Sequence, residues 1–380
     1  MLVLGLVLGS ASAWGATDAR ALFLRFECHR CHDGTGLAES ATDQHCVRCH
    51  REIAAGTFDA ERSLLLEWQR NLVSLPAVPS LVGSARLKQS WIERYLLAPH
   101  DLRPNLLATM PRLPLGPEDA RTIAAALSPD RPARPARVFS KEEARAGGAL
   151  FESLGCRSCH RFSGGAAAPT ATESASAAQG DARWLAPDLA FTRDRMTADA
   201  VIAWLRDPKA IKPDTAMPSL GLDETRAAEL AAFLLETPLP HAVRAAPAKR
   251  PLLARRVRYA EVSQRVFRKL CWHCHSAPLR GSGDGGPGNT GGFGYAGRGV
   301  DLSSYEGIAR GTLGADGHRR SLFAPLPDGT PLLVATLLAR HQEEQGSQDP
   351  QLVGMPLGLP ALPMEDIQLV ETWIAQGRRR

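Results

Sequence analysis

The feature that most constrains this chain of 380 residues is a five-residue pattern, Cys-x-x-Cys-His, which occurs four times. The copies lie at 28–32, 46–50, 156–160 and 271–275, and together they use all eight cysteines. Two cysteines at this spacing followed directly by a histidine are the attachment signature of c-type haem. The thiols form thioethers to the porphyrin, and the histidine becomes an axial ligand of the iron.

The pattern therefore predicts four covalent haem c groups. The attaching residues are Cys28, Cys31 and His32 for the first, Cys46, Cys49 and His50 for the second, Cys156, Cys159 and His160 for the third, and Cys271, Cys274 and His275 for the fourth.

Zinc is the alternative to haem at the first two copies, whose cysteine pairs have the spacing of the two knuckles of a zinc ribbon. That interpretation leaves the histidines unexplained. The chain has 11 histidines, so a histidine directly after all four pairs has a chance probability on the order of one in a million. The third and fourth pairs are also too far apart in sequence to share a zinc ion without a long-range fold. Haem accounts for all four copies.

The first 13 residues resemble a secretory signal. An apolar run is followed by Ala11-Ser12-Ala13, a small-residue cleavage site, and the run is shorter than the ~20 residues that a spanning helix needs. No Lys or Arg precedes the run, so the true start codon could lie upstream. Export agrees with the cysteines, since haem is attached outside the bacterial cytoplasm and no thiol remains for a disulfide. We expect a periplasmic protein, soluble or peripherally associated with the membrane.

The formal net charge of +5 would suggest an anionic partner only for the apoprotein. Four haems with their propionates bring roughly −4 to −8, which leaves a holoprotein near zero. Nucleic acid is therefore not indicated. We expect redox partner proteins, and association with a membrane complex remains open.

Apolar periodicity predicts an all-α fold with two Pro-rich linkers, at 128–137 and 237–256. Residues 163–180 have small side chains and predict a loop, and the glycine-rich stretch 281–299 predicts no regular structure. Helices are expected at 17–27, around 65–75, and at 91–96, 117–127, 140–151, 197–205, 223–234, 262–270 and 363–374.

An order of elements repeats along the chain at intervals of roughly a hundred residues. Each repeat has a helix, a Cys-x-x-Cys-His motif, a loop with proline, a tryptophan-bearing segment, Met-Pro and an apolar terminal helix. We therefore expect three tandem haem domains joined by Pro-rich linkers: a dihaem domain at 14–130, a second domain at 138–240 and a third at 255–380.

The middle repeat resembles class I cytochrome c. It has Gly147-x-x-x-Phe151, the third haem motif, Pro187-Asp-Leu and Met217-Pro in the order of that family. The resemblance implies N- and C-terminal helices that cross at the haem edge, with His160 and Met217 binding the iron from opposite faces. The third repeat looks like cytochrome c domains with a long insertion before the methionine, and the first resembles the family only from about Val78.

Three methionines, Met110, Met217 and Met355, are each followed by proline, which holds the preceding residue extended. Each stands between a haem motif and a closing helix, and we expect each to be a distal iron ligand rather than packing. In the first repeat we predict His32/His45 for one iron and His50/Met110 for the other. His100 is the alternative to His45. The other interpretation of either residue is an ordinary surface histidine without a ligand role.

His29 and His273 lie between the cysteines of their motifs, and we expect both to be solvated. Filled coordination on both faces of every iron favours electron transfer between a donor dehydrogenase or quinol-oxidising complex and a terminal acceptor. The rival interpretation is a redox enzyme or enzyme subunit of peroxidase type, in which one iron stays open to substrate and the glycine-rich stretch is a gate. A docking module of a larger membrane complex is the third.

Overall fold

The computed structural model describes residues 13–72, 78–100, 102–104, 110–129, 135–162, 182–239, 246–276 and 286–380. The fold is all-α, as the sequence pattern predicts. In the described residues the strands are four two-residue segments, Gly291–Gly292 (β1), Tyr295–Ala296 (β2), Thr312–Leu313 (β3) and Arg319–Arg320 (β4), which pair as two antiparallel hairpins.

The α-helices of the described residues are Ala13–Arg25 (α1), Cys46–Ala55 (α2), Arg62–Asn71 (α3), Gln89–Leu97 (α4), Pro117–Leu127 (α5), Lys141–Ser153 (α6), Ala182–Leu185 (α7), Thr192–Arg195 (α8), Ala198–Arg206 (α9), Pro208–Ile211 (α10), Glu224–Glu236 (α11), Tyr259–Val262 (α12), Tyr305–Arg310 (α13), Leu332–Glu343 (α14) and Met364–Ala375 (α15). Short 3₁₀ helices cover Cys28–Arg30, Thr42–Gln44, Ser84–Arg86, Cys156–Ser158 and Leu189–Phe191. π-Helical turns cover Ser263–Cys271 and Gly286–Thr290.

Local capping signals position most helix starts. Ser140 and Glu143 form a reciprocal capping box at α6, in which each side chain accepts a hydrogen bond from the other residue's backbone N–H. Thr197 and Asp223 cap α9 and α11, where their side-chain oxygens accept from the Ala200 and Arg226 N–H groups. The first helix begins earlier than the predicted residue 17, because α1 already includes Ala13.

Buried apolar side chains form three clusters. The first contains Phe26, Trp91 and Ile123, the second Phe151, Val201 and Leu230, and the third Val262, Val334 and Trp373. The clusters follow the three repeats but are not sealed from one another, since Leu87 packs against both the first and the second and Phe293 packs against the first. The division into three haem domains stays a prediction.

The second cluster is built on the crossing of α6 and α11. Gly147 lies where the two helices meet: a Cβ placed on it would come 1.9 Å from the backbone oxygen of Glu229. Gly148, the next residue, faces the ring of Phe233 at 3.2 Å. The absence of a side chain at Gly147 therefore allows the two helix backbones to approach this closely.

Two expectations about irregular segments are corrected by the structure. Part of the predicted second linker is docked on α15: the Leu253 N–H donates to Thr372, and Lys249 pairs with Glu371 at 2.7 Å. The glycine-rich stretch forms a π-turn and the β1–β2 hairpin within 286–299, because glycine reaches the positive φ angles that this tight turn needs.

Residues 1–12 of the predicted signal peptide, residues 163–180, part of each predicted linker and residues 277–285 lie outside the described residues. The helix α14 was not predicted. It is apolar on most of its circumference and is buried in the third cluster, so it lacks the one-sided pattern that reveals a surface helix. In the part of the chain that the structure describes, no helix is both long and apolar enough to cross a membrane.

Candidate haem sites

The third motif presents its histidine in a fixed orientation. The 3₁₀ turn Cys156–Ser158 follows α6 through Gly155 in the left-handed conformation. The His160 Nδ1 lies 2.9 Å from the carbonyl oxygen of Pro187, and the Leu189 N–H donates to the Arg161 carbonyl at 2.9 Å. A histidine that binds metal through one ring nitrogen commonly donates from the other to a backbone carbonyl. This arrangement leaves Nε2 of His160 to bind iron.

Met217 lies in the same apolar cluster as Cys156 and is half-buried. The indole Nε1–H of Trp204 on α9 donates to the Met217 sulfur at 3.0 Å, and the Met217 N–H donates to Thr215 Oγ1 at 3.2 Å. These two contacts fix the thioether and its backbone. Sulfur has two lone pairs, so the contact with Trp204 leaves one for a metal ion.

The first motif has the same proximal arrangement as the third. The His32 Nδ1 lies 2.8 Å from the Pro79 carbonyl oxygen, and the Leu81 N–H donates to the Asp33 carbonyl at 2.8 Å. In both motifs the carbonyl belongs to a proline, and the leucine two residues later pairs with the residue that follows the histidine. Burial lowers the pKa of His32, which keeps the ring neutral and able to bind metal.

The distal residues of the first repeat are grouped differently from the sequence prediction. Met110 packs against the cluster that contains Cys28, just as Met217 shares a cluster with Cys156. Since the Pro79 carbonyl contacts His32, the first repeat has a Cys-x-x-Cys-His motif, a proline carbonyl on its histidine and a Met-Pro in the same order as the middle repeat. The pairing of Met110 with either iron of the first repeat stays a prediction.

His45 has another role in the structure. It is buried at the N-terminus of α2, where its Nδ1 accepts a hydrogen bond from the Arg48 N–H at 3.3 Å. An Nδ1 that accepts leaves the ring proton on Nε2, which lies 3.6 Å from Asp33 Oδ1. His45 thus caps α2 through Nδ1, while its Nε2 is buried without a hydrogen-bond partner among the described residues, and its role as an iron ligand stays a prediction.

His100, the predicted alternative, packs between the rings of Tyr95 and Phe191, with centroid separations of 5.4 and 5.3 Å. Its Nδ1 lies 3.2 Å from the Ala98 carbonyl. These contacts place it at the boundary between the first and second clusters.

The second motif differs from the first and third because it is helical, forming the first turn of α2. Its Cys46 thiol hydrogen-bonds to the Cys31 thiol, a contact that raises the pKa of Cys31. The first and second motifs are therefore adjacent in the fold. Burial lowers the pKa of His50 to about 4, and its Nδ1 is buried without a hydrogen-bond partner among the described residues.

The fourth motif begins at Cys271, the last residue of the π-helical segment that follows α12. His275 lies directly against Gly288: a Cβ there would come 1.8 Å from the imidazole ring. The π-turn of the glycine-rich stretch therefore serves as one wall around this histidine. Met355 packs against the same cluster as Cys271, and its N–H donates to the Thr336 carbonyl of α14 at 2.9 Å.

The Met110 and Met355 loops are joined by Arg112. Its Nη1 contacts Glu343 Oε1 at 3.3 Å and donates to the Asp349 and Leu352 carbonyls at 2.7 and 3.1 Å. Glu343 is only 4% exposed and also accepts from the Gly354 N–H beside Met355. A buried carboxylate thus ties together two of the predicted distal loops.

The chemistry of these sites fits haem c. All eight cysteines are free and partly buried, and burial raises the pKa of Cys28 to about 11 and of Cys271 to about 12. Within the described ranges no group of three or more Cys, His, Asp or Glu side chains is arranged to hold a metal ion, and the zinc-ribbon alternative requires four.

Residues 144–238 match the family model of cytochrome c. This segment is similar to cytochrome c domains. The family binds haem c covalently, and the domain supports haem-based electron transfer. The matched residues contain the third motif, Pro187, Trp204 and Met217. No curated protein and no solved structure shows significant similarity to the chain.

Sequence reasoning missed several residues that define the sites. The roles of Pro79 and Gly288 depend on contacts over 47 and 13 residues, and no local pattern reveals them. For Pro79 a signal existed, because Val-Pro-Ser-Leu at 78–81 parallels Ala-Pro-Asp-Leu at 186–189. Arg112 lies two residues after Met110, but its partner Glu343 belongs to the unpredicted helix α14.

Proposed function

We propose that the chain is a periplasmic tetrahaem c-type cytochrome that carries electrons between a donor dehydrogenase or quinol-oxidising complex and a terminal acceptor. Haem c supplies a one-electron redox centre when bound. The chain's own residues hold it covalently, orient the proximal histidines and exclude water from the iron.

The observation that carries this proposal is the shared proximal arrangement of two motifs. His32 and His160 each face a proline carbonyl at 2.8 and 2.9 Å, and the residue after each histidine accepts a hydrogen bond from the N–H of the leucine two positions beyond that proline. One of these motifs lies in the segment that matches cytochrome c. The same side-chain placement at the first motif supports the same chemistry there.

The assignment that these contacts favour is His32/Met110, His160/Met217 and His275/Met355 for the first, third and fourth haems. Each methionine packs with the first cysteine of its own motif in one apolar cluster. Met in place of a second histidine raises the reduction potential, so we expect three haems of high potential. His50 is the proximal ligand of the remaining haem, the one attached at the second motif.

Carbon monoxide binding tests the proposal against its rival. Six-coordinate irons leave no site for a substrate, so the reduced holoprotein should bind little carbon monoxide at neutral pH. A peroxidase-type enzyme would bind about one carbon monoxide per chain and consume hydrogen peroxide with a reduced electron donor. Stoichiometric binding in the wild-type protein would contradict an electron carrier with filled coordination.

Association with redox partner proteins or a membrane complex is part of the same proposal. Its test is co-purification of the exported protein from the membrane fraction in low and high salt. A carrier that associates peripherally should be released by salt, because charge contacts are screened.

A further inference from the structure

The second motif is the one whose iron has no methionine partner in this assignment. Met110, Met217 and Met355 each pack with another motif, and the histidines predicted from the sequence are used elsewhere. His45 caps α2 through the ring nitrogen that accepts from Arg48, and His100 lies between two aromatic rings away from the motif. A second ligand from the described residues would therefore come from another part of the chain.

The structure brings one further imidazole to His50. The ring of His273, 223 positions later in the sequence, has its centroid 6.2 Å from that of His50, with an interplanar angle of 63°. Metal bonds to imidazole nitrogen are about 2 Å long. The centres of two imidazole rings that bind one metal from opposite sides therefore lie about 6 Å apart. The interplanar angle makes this an edge-to-face arrangement rather than a stacked one.

Other contacts hold the two segments in this position. Arg268, five residues before His273, pairs with Glu67 of α3 at 2.7 Å. Tyr295 donates from its hydroxyl to the Arg112 carbonyl at 2.6 Å, and the Phe293 N–H contacts Glu27 at 3.3 Å. The approach of His273 to His50 is thus part of an interface between the first and third clusters, built from side chains of both.

The geometry points to His273 as the second axial ligand of the iron attached at Cys46 and Cys49. This inference rests on the proposed function, since it needs a covalent haem at the second motif. His273 stands between the cysteines of the fourth motif, so one iron would join the N-terminal and C-terminal parts of the chain. The second haem would then lie between the first, whose Cys31 contacts Cys46, and the fourth, and electrons would pass from the first motif to the fourth through it.

The test uses the full-length holoprotein and the variant His273→Ala. We expect ferric His273→Ala to show a high-spin electron paramagnetic resonance signal from about a quarter of its haem, and its reduced form to bind about one carbon monoxide per chain. His273→Met should restore a low-spin iron with a raised midpoint potential. The matched control is His29→Ala, which removes the histidine between the cysteines of the first motif and should leave all four haems low-spin.

Intact mass distinguishes a failure of the proposed tetrahaem function from a failure of the ligand role of His273. Fewer than four covalent haems in the wild-type protein would contradict the proposed function. Four haems together with an unchanged low-spin spectrum in His273→Ala would overturn the inference alone, as would a high-spin signal from His45→Ala. The wild-type spectrum gives an independent check if His273→Ala fails to mature: it should contain one bis-histidine haem, and a spectrum of histidine–methionine haems only would refute the ligand role.

Discussion

Replacing Gly147 by alanine tests the helix crossing that frames the third haem site. Alanine is favoured over glycine inside a helix by about 1 kcal/mol, so propensity alone predicts stabilisation. The structure predicts the opposite. The new Cβ would lie 1.9 Å from the Glu229 oxygen and 2.5 Å from its carbon, and both atoms are backbone.

The magnitude follows from how far the helices must move. Ordinary contacts between heavy atoms need about 3.5 Å, so α6 and α11 would have to separate by about 1.5 Å. Overpacking of this kind costs typically about 1–3 kcal/mol, and a backbone obstacle places the cost at the upper end. Set against the propensity gain, we expect a net loss of about 2 kcal/mol.

Thermal unfolding of the haem-loaded segment 138–240, followed by circular dichroism, measures the effect. A loss of 2 kcal/mol corresponds to a fall of about 10 °C in Tm for a domain of this size. Gly148→Ala is the matched control, because its Cβ would meet only the ring of Phe233 at 3.2 Å, and that side chain can shift. Equal Tm values for the two variants, or a stabilised Gly147→Ala, would refute the crossing geometry.

Three further predictions concern the ligand, an interface and a cap. Met217→Ala in the haem-loaded segment should lose the near-infrared band of methionine-ligated ferric haem, whereas Trp204→Phe, which removes the hydrogen bond to the sulfur but keeps an aromatic ring, should shift that band; retention of the band in Met217→Ala would remove Met217 from the site. Arg112→Ala should destabilise the full chain by about 2 kcal/mol, measured by urea unfolding, because it deprives the buried Glu343 of a partner. Arg121→Ala is the control, because it removes an exposed ion pair and should leave the urea midpoint nearly unchanged. A hydrogen bond from the Ser140 N–H lowers the pKa of Glu143, so the charged carboxylate stabilises the fold above its unfolded pKa of about 4.3, and this stabilisation disappears as pH falls through the folded pKa. Glu143→Gln should therefore have a lower Tm than wild type at neutral pH. A difference in Tm that persists at about pH 3 would contradict this origin.

The elements that could be predicted from the sequence are those set by local chemistry. The capping residues Ser140, Thr197 and Asp223 fix helix starts within one turn, and the apolar spacing of α11 identifies its buried face. The haem motifs are equally local. Local signals failed for the start of α1, which lies before the predicted residue 17. They also failed for α14, which is apolar on most of its circumference and so lacks the helical periodicity of polar and apolar residues.

The site residues that the sequence could not pair are those that depend on long-range packing. Three segments compete for two irons in the first repeat, and spacing alone does not show that Pro79 serves His32 while Met110 packs beside Cys28. His273 was expected to be solvated. It is exposed in the structure, but its ring contacts that of His50 between the first and third repeats. A contact between residues so far apart in sequence cannot be predicted from local pattern.

The most direct test of the account is the number of covalent haems on the exported protein. Intact mass spectrometry, with pyridine haemochrome quantitation on the same sample, should give four thioether-bound haems per chain, because each of the four motifs has two free, partly buried cysteines and an adjacent histidine. An unmodified chain with bound zinc, or haem at the third motif alone, would contradict it.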